Sequence, residues 1–72
     1  MEIEEGTRLK VIKSGWVLQV PEEAHECYLY RACGQIYTIQ KVFKEHVIAV
    51  GQSGRCFILT ISDLNYFNVI SD

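Results

Sequence analysis

The chain has 72 residues, of which 49% are hydrophobic, and its formal net charge is −2. This length suits one small domain and is too short for two, while the apolar fraction excludes a chain that is disordered throughout. The slightly acidic charge argues against dependence on cationic contacts to phosphate. No apolar run approaches the length of a transmembrane helix. Because the acidic residues 1–5 do not resemble a signal peptide, we expect a cytoplasmic protein with an acidic tail (1–5) and one domain (6–70).

The first half of the chain predicts short strands. Residues 8–13 alternate polar and apolar side chains, as a half-buried strand does. Residues 16–20 are apolar and β-prone up to Pro21, which ends the run. A polar segment at 21–26 precedes another candidate strand at 27–32. This pattern leaves open whether residues 16–32 form a hairpin or an irregular loop.

The second half predicts a meander of three further strands, at residues 35–43, 46–50 and 55–60. Tight turns at 44–45 and 51–54 join them, the second with two glycines available for positive φ. Ser62 and Asp63 suit a capped helical turn at 61–64, and residues 65–70 form the closing strand. Short strands joined by tight turns predict an all-β barrel or small sandwich.

Positions across the second half share a pattern of glycine, β-prone and apolar residues: Gly34-x-x-Tyr37-Thr38-Ile39, Val47 to Gly51, Phe57, Asp63-Leu64 and Val69. This pattern resembles the small SH3-like proteins often encoded by bacteriophages. Over residues 6–70, the resemblance implies an SH3-like β-barrel of about five antiparallel strands. Its parts are a first strand at 6–13, a long first loop at 14–33, a meander at 34–59, a 3-10 turn at 61–64 and a last strand at 66–70. The meander lacks a tryptophan and Pro21 is far from the turn, so proline-peptide binding is not implied.

The sequence contains few residues that could act as metal ligands or catalytic groups. Four soft metal-ligand side chains are present, His25, Cys27, Cys33 and Cys56. Their spacing lacks a Cys-x-x-Cys knuckle, so three reduced thiols are the preferred interpretation, and whether the four residues converge on a metal stays open. The neighbouring histidine and cysteine at 25 and 27 match no nucleophile–base signature. We therefore expect no catalytic residue, no metal and no cofactor.

Aromatic residues of the long loop are the leading candidates for function. A domain this small cannot bury every large side chain, and the loop contains Trp16, Leu18, Tyr28 and Tyr30. The same loop contains three acidic residues, Glu22, Glu23 and Glu26. Aromatic side chains beside acids suit an interface with a basic partner protein, which the acids would steer. The competing interpretation is that Trp16 and Tyr30 fold back as a lid on one end of the barrel.

These residues predict a non-catalytic protein-binding module. The resemblance to phage-encoded proteins implies a host-directed or inhibitory interaction. A homodimer is a further option, with Val17, Leu18 and Val20 pairing as an edge strand.

Nucleic-acid binding is the alternative function. Small barrels bind single strands with aromatic side chains interleaved with cations. The candidate aromatic residues are Tyr37 and Phe43, and the candidate cations are Arg8, Lys10, Lys13, Lys41 and Lys44. The competing interpretation places both aromatic side chains in the core.

Overall fold

The computed structural model describes residues 3–19 and 27–70. These residues form strands and one short 3-10 helix, η1: β1 (Arg8–Val11), β2 (Gly15–Gln19), β3 (Cys27–Arg31), β4 (Ile36–Val42), β5 (His46–Val50), β6 (Cys56–Thr60), η1 (Asp63–Tyr66) and β7 (Phe67–Ile70). The all-β expectation is confirmed for the described part of the chain. Within that part, no helix is long and apolar enough to cross a membrane.

All seven described strands belong to one antiparallel sheet in the order β3-β2-β6-β5-β4-β1-β7. The hydrogen-bonded ladders leave this sheet open, with β3 and β7 as its edges. Each strand is short, and β4 contains a bulge between Ile39 and Lys41 that shifts its pairing with β5. Such a bulge increases the local twist of a strand.

One face of the sheet carries the core, and we call it the core face. Strict alternation puts Leu9 and Val11 of β1 on this face, while Arg8 and Lys10 are exposed on the opposite, outer face. The central strands continue the pattern, so the buried side chains form one cluster: Leu9, Val11, Val17, Tyr37, Ile39, Val47, Ala49, Phe57, Leu59 and Phe67. The period-2 pattern of the sequence therefore predicts which face is buried.

Residues 14–33, expected as a long first loop, contain the paired strands β2 and β3. Their register runs from Gly15 opposite Arg31 to Gln19 opposite Cys27. The sequence leaves open whether residues 16–32 form a hairpin or an irregular loop. In the described part of this range, the pairing shows a hairpin. It also explains why the expected count of about five strands is two short.

The optional homodimer through β2 requires β2 to be an edge strand of the sheet. Strand β2 pairs with β3 on one side and with β6 on the other, so it is not an edge strand. Val17 is buried in the core, and Val20 lies outside the described residues. Strand β2 is therefore not an edge strand at Leu18 and Gln19, which pair with β6, and the homodimer stays a prediction.

The helical turn near the C-terminus starts two residues later than expected, at Asp63. Ser62 occupies the cap position but makes no side-chain cap hydrogen bond. Instead, the Asp63 carboxylate accepts hydrogen bonds from the Thr60 backbone N–H and from its hydroxyl, at 3.1 and 3.0 Å. The turn is thus fixed from the preceding strand, and the last strand begins at Phe67.

Arg31 connects the two edges of the open sheet. This side chain extends from edge strand β3 and is 4% exposed. Its guanidinium carbon lies 4.2 Å from the centre of the Tyr66 ring and 5.8 Å from that of Phe67, where β7 begins. Its Nε donates a hydrogen bond of 2.9 Å to the Lys13 carbonyl oxygen. The edge strands therefore approach each other through a buried cation although no ladder joins them.

Candidate functional site

The β2–β3 hairpin collects the predicted aromatic residues on one surface. Directly opposed residues of an antiparallel pair lie on the same face, and the register pairs Trp16 with Tyr30 and Leu18 with Tyr28. Their neighbours Val17 and Leu29 alternate to the core face. We call the outer-face group Trp16, Leu18, Tyr28 and Tyr30 the aromatic face.

Three side chains of the aromatic face are strongly exposed. Trp16 is 66% exposed, Tyr28 is 55% and Tyr30 is 54%. The rings of Trp16 and Tyr30 meet edge to face, with their centroids 5.4 Å apart, which is a favourable aromatic geometry. This arrangement contradicts the interpretation in which Trp16 and Tyr30 fold back as a lid, because a lid would be buried.

Two isoleucines that the sequence analysis did not select extend the aromatic face. Ile58 of β6 lies opposite Leu18, and Ile48 of β5 lies opposite Ile58. Both are partly buried, and they form a cross-strand row with Leu18 and Tyr28 on the outer face. Only the register reveals this row, because outward isoleucines in a β-prone segment look like core residues in the sequence.

The acidic residues predicted to steer a partner, Glu22, Glu23 and Glu26, lie outside the described residues. They belong to the connection between β2 and β3, so their role stays a prediction. His25 lies in the same connection.

The cysteines are described in part. Cys33 is exposed, with its sulfur 3.7 Å from the Ile12 carbonyl oxygen. Cys56 is partly buried, with its sulfur 3.6 Å from Oε1 of Gln40. Both are free thiols, and residues 3–19 and 27–70 contain no group of three metal-ligating side chains.

The structure distributes the basic residues of the alternative function over three elements. Arg8 and Lys10 lie on the outer face of β1, Lys13 follows that strand, and Lys41 and Lys44 lie at the end of β4 and in the next turn. Three strands, β6, β5 and β4, lie between β1 and β2 in the order of the sheet. Cations of β1 are therefore not interleaved with the aromatic face.

The aromatic residues selected with those cations differ in exposure. Tyr37 is 3% exposed and belongs to the core, so its expected role as a stacking platform is wrong. Phe43 is 42% exposed, stacks on His46 at a centroid distance of 4.7 Å and lies 5.5 Å from the Lys41 ammonium. One of the two candidate stacking residues thus remains accessible.

The electrostatic environment shifts the pKa of one buried tyrosine. Burial raises the pKa of Tyr37 above its ordinary value, and the positive charge of Arg31 acts in the opposite direction. The Tyr37 phenol is therefore neutral near neutral pH and lies within reach of the charge of Arg31.

Comparisons with protein-family models, with characterised proteins and with solved structures find no match for this chain. The fold and the site therefore define it as an all-β protein whose antiparallel sheet presents an exposed aromatic face.

Proposed function

We propose that this protein is a non-catalytic protein-binding module and that the aromatic face is its contact surface. The observation that carries the proposal is the exposure of Trp16, Tyr28 and Tyr30 on one side of a single hairpin. Tryptophan and tyrosine dominate the energetics of protein interfaces because they bury large areas with few rotatable bonds.

The hairpin presents these rings in a preorganised form. Trp16 and Tyr30 contact each other in the free protein, and the strands beneath them are paired along their whole length. Ordering of side chains is a major cost of association, and a ring pair that is already ordered reduces that cost. The outer-face row through Ile58 and Ile48 would extend the contact towards the centre of the sheet.

The SH3-like barrel belongs to the same proposal. Two features support it: η1 stands between β6 and β7, and Arg31 draws the two sheet edges towards each other. The resemblance to phage-encoded small barrels then implies a host protein as the partner. Because fold is a weak guide to function, the partner must be identified by experiment.

An affinity pull-down from a nuclease-treated bacterial lysate tests the proposal with three baits. They are the wild type, Trp16→Ala, and the control Phe43→Ala, which removes an exposed ring from a different part of the surface. We expect one protein to be retained by the wild type and the control and lost by Trp16→Ala. With the isolated partner, Trp16→Ala should raise Kd by about thirtyfold, as truncation of an interface anchor costs about 2 kcal/mol. Retention by all three baits, or by none, contradicts the proposal.

Nucleic-acid binding remains the second candidate, and one observation favours it. The register places Ile36 and Asn68 opposite Lys10, so neither cross-strand neighbour of this exposed cation is acidic. This alternative predicts binding to single-stranded DNA that weakens steeply with salt. Replacing Lys10 by glutamine should reduce the salt slope, whereas absence of binding at low salt removes this candidate.

A further inference from the structure

A cleft of about 350 Å³ opens between edge strand β3 and the turn that joins β5 to β6. Leu29 and Tyr30 line it on the β3 side, and residues 51–53 and Arg55 line it on the turn side. Tyr30 also belongs to the aromatic face, so the cleft adjoins that face without being part of it. Its volume is at the lower end of the range of small-molecule sites, which is about 300–1,000 Å³.

The floor of the cleft is aromatic. Tyr37 and Phe57 both line it, and their rings stack at a centroid distance of 4.7 Å with an interplanar angle of 27°. Both residues are at most 5% exposed and are fixed by the core around them. This rigid, apolar floor favours an apolar ligand group, which contacts the accessible parts of the two rings rather than stacking on the Tyr37 face.

The walls supply hydrogen-bond donors and one positive charge. The Tyr37 hydroxyl makes no hydrogen bond to any described residue, so it is available to a ligand. Gln52, Ser53 and Arg55 are exposed on the turn side. Among the described lining residues, Arg55 is the only ionised group and no carboxylate is present. The electrostatic character of the cleft therefore suits an anion.

The turn keeps this wall in place. Gly51 donates a hydrogen bond of 2.9 Å to the Arg55 carbonyl oxygen, and Gly54 donates one of 3.0 Å to Gly51. A Cβ added at Gly51 would lie 3.0 Å from Cε2 of Phe57. The absence of a side chain at this position thus lets the turn approach the aromatic floor closely.

We propose that this cleft binds an apolar, preferably aromatic, group that carries a carboxylate. The apolar part lies on the Tyr37–Phe57 floor, and the carboxylate accepts hydrogen bonds from Arg55 and from Ser53. This chemistry is found in a free aromatic acid and in the C-terminal residue of a peptide chain. The proposal goes beyond the protein-binding function and does not depend on it.

The test is a titration of the full chain followed by ¹H–¹⁵N NMR, with N-acetyl-phenylalanine and its uncharged amide as probes. We expect the acid to shift the backbone signals of residues 51–57. It should also bind about threefold to tenfold more tightly than the amide, because one exposed charge-assisted contact contributes about 1 kcal/mol. Arg55→Gln should abolish this difference. The control Lys44→Gln, which neutralises an exposed cation in the other turn, should preserve it.

Equal affinities for the two probes, or shifts confined to other residues, overturn the proposal, as does an undiminished acid preference in Arg55→Gln. A peptide ending in phenylalanine that binds more tightly than the single amino acid identifies a chain terminus as the ligand, and equal binding identifies a free aromatic acid. The pull-down with Trp16→Ala is independent of this titration, so the failures of the two proposals are distinguishable.

Discussion

Replacement of Gly15 by alanine tests the contact that closes the sheet edges. Gly15 lies opposite Arg31 in the hairpin, and a Cβ at this position would lie 2.7 Å from Nη2 and 3.1 Å from Cζ of the guanidinium. The guanidinium has little freedom to move away, because Tyr66 stacks on it and the Lys13 carbonyl accepts from its Nε. The new methyl group must therefore displace a buried, ordered group.

The magnitude follows from two opposing terms. Overpacking a filled interior costs about 1–3 kcal/mol, whereas replacing glycine by alanine restricts the unfolded chain and contributes about 0.4–1 kcal/mol in favour of folding. We expect Gly15→Ala to lower the free energy of unfolding by about 0.5–2 kcal/mol. In the Arg31→Met background the clash is absent, so the same substitution should stabilise the protein by about 0.4–1 kcal/mol.

Urea unfolding followed by far-ultraviolet circular dichroism measures both values, with an unchanged slope as evidence that the denatured state is the same. Trp16 fluorescence is a poor probe here because this ring is largely exposed in the folded protein. The double-mutant cycle isolates the coupling between the two positions. Equal destabilisation by Gly15→Ala in both backgrounds would refute the guanidinium contact as the cause.

Three further substitutions test the core and the turns. Tyr37→Phe should reduce the loss of folding stability above about pH 10. Burial raises the pKa of the Tyr37 phenol above its ordinary value of 10.0, so this residue contributes stability that is lost as the pH rises through the pKa of the folded state. Urea unfolding near neutral and at alkaline pH checks this, and equal losses in the wild type and the variant contradict it. Gly54→Ala should cost about 1 kcal/mol or more because φ is +84°, with Ser53→Ala as the near-neutral control in thermal unfolding. Asp63→Ala should lower the free energy of unfolding by about 0.5–2 kcal/mol, because it removes the acceptor for Thr60. Asp63→Asn keeps an acceptor and should recover part of this loss. Identical melting curves for the two variants would contradict a contribution of this hydrogen bond to stability.

Most strands of the sheet are predictable from the sequence because their side chains alternate. Strand β5 begins and ends where the sequence predicts, at His46 and Val50, and β4 lies within its predicted range. The first strand ends at Val11, two residues before the expected boundary, because the following residues leave the ladder for the β1–β2 connection. Boundaries of strands depend on pairing partners, which a single strand does not encode.

Parts of the candidate site are less accessible to sequence reasoning. The sequence identifies Trp16, Leu18, Tyr28 and Tyr30 individually, because large residues accumulate in a segment of a small domain. Their convergence on one face depends on the hairpin register, which pairs Trp16 with Tyr30 and Leu18 with Tyr28 across the intervening chain. The buried position of Arg31 has no sequence signal, since an arginine in a short polar-flanked strand is normally solvated. Its burial becomes intelligible only when Tyr66 and Gly15 are brought next to it.

The register that exposes the aromatic face is also the register that buries Arg31. With Val17 and Leu29 on the core face, Trp16 and Tyr30 must lie outside, and a slip of one residue would exchange the two sets. Such a slip would place a residue other than Gly15 opposite Arg31, where a Cβ has no room. The Gly15–Arg31 pair therefore fits the register in which the rings are exposed. The pair thus bears on the exposure of the rings through register alone, because neither of its side chains lies on the aromatic face.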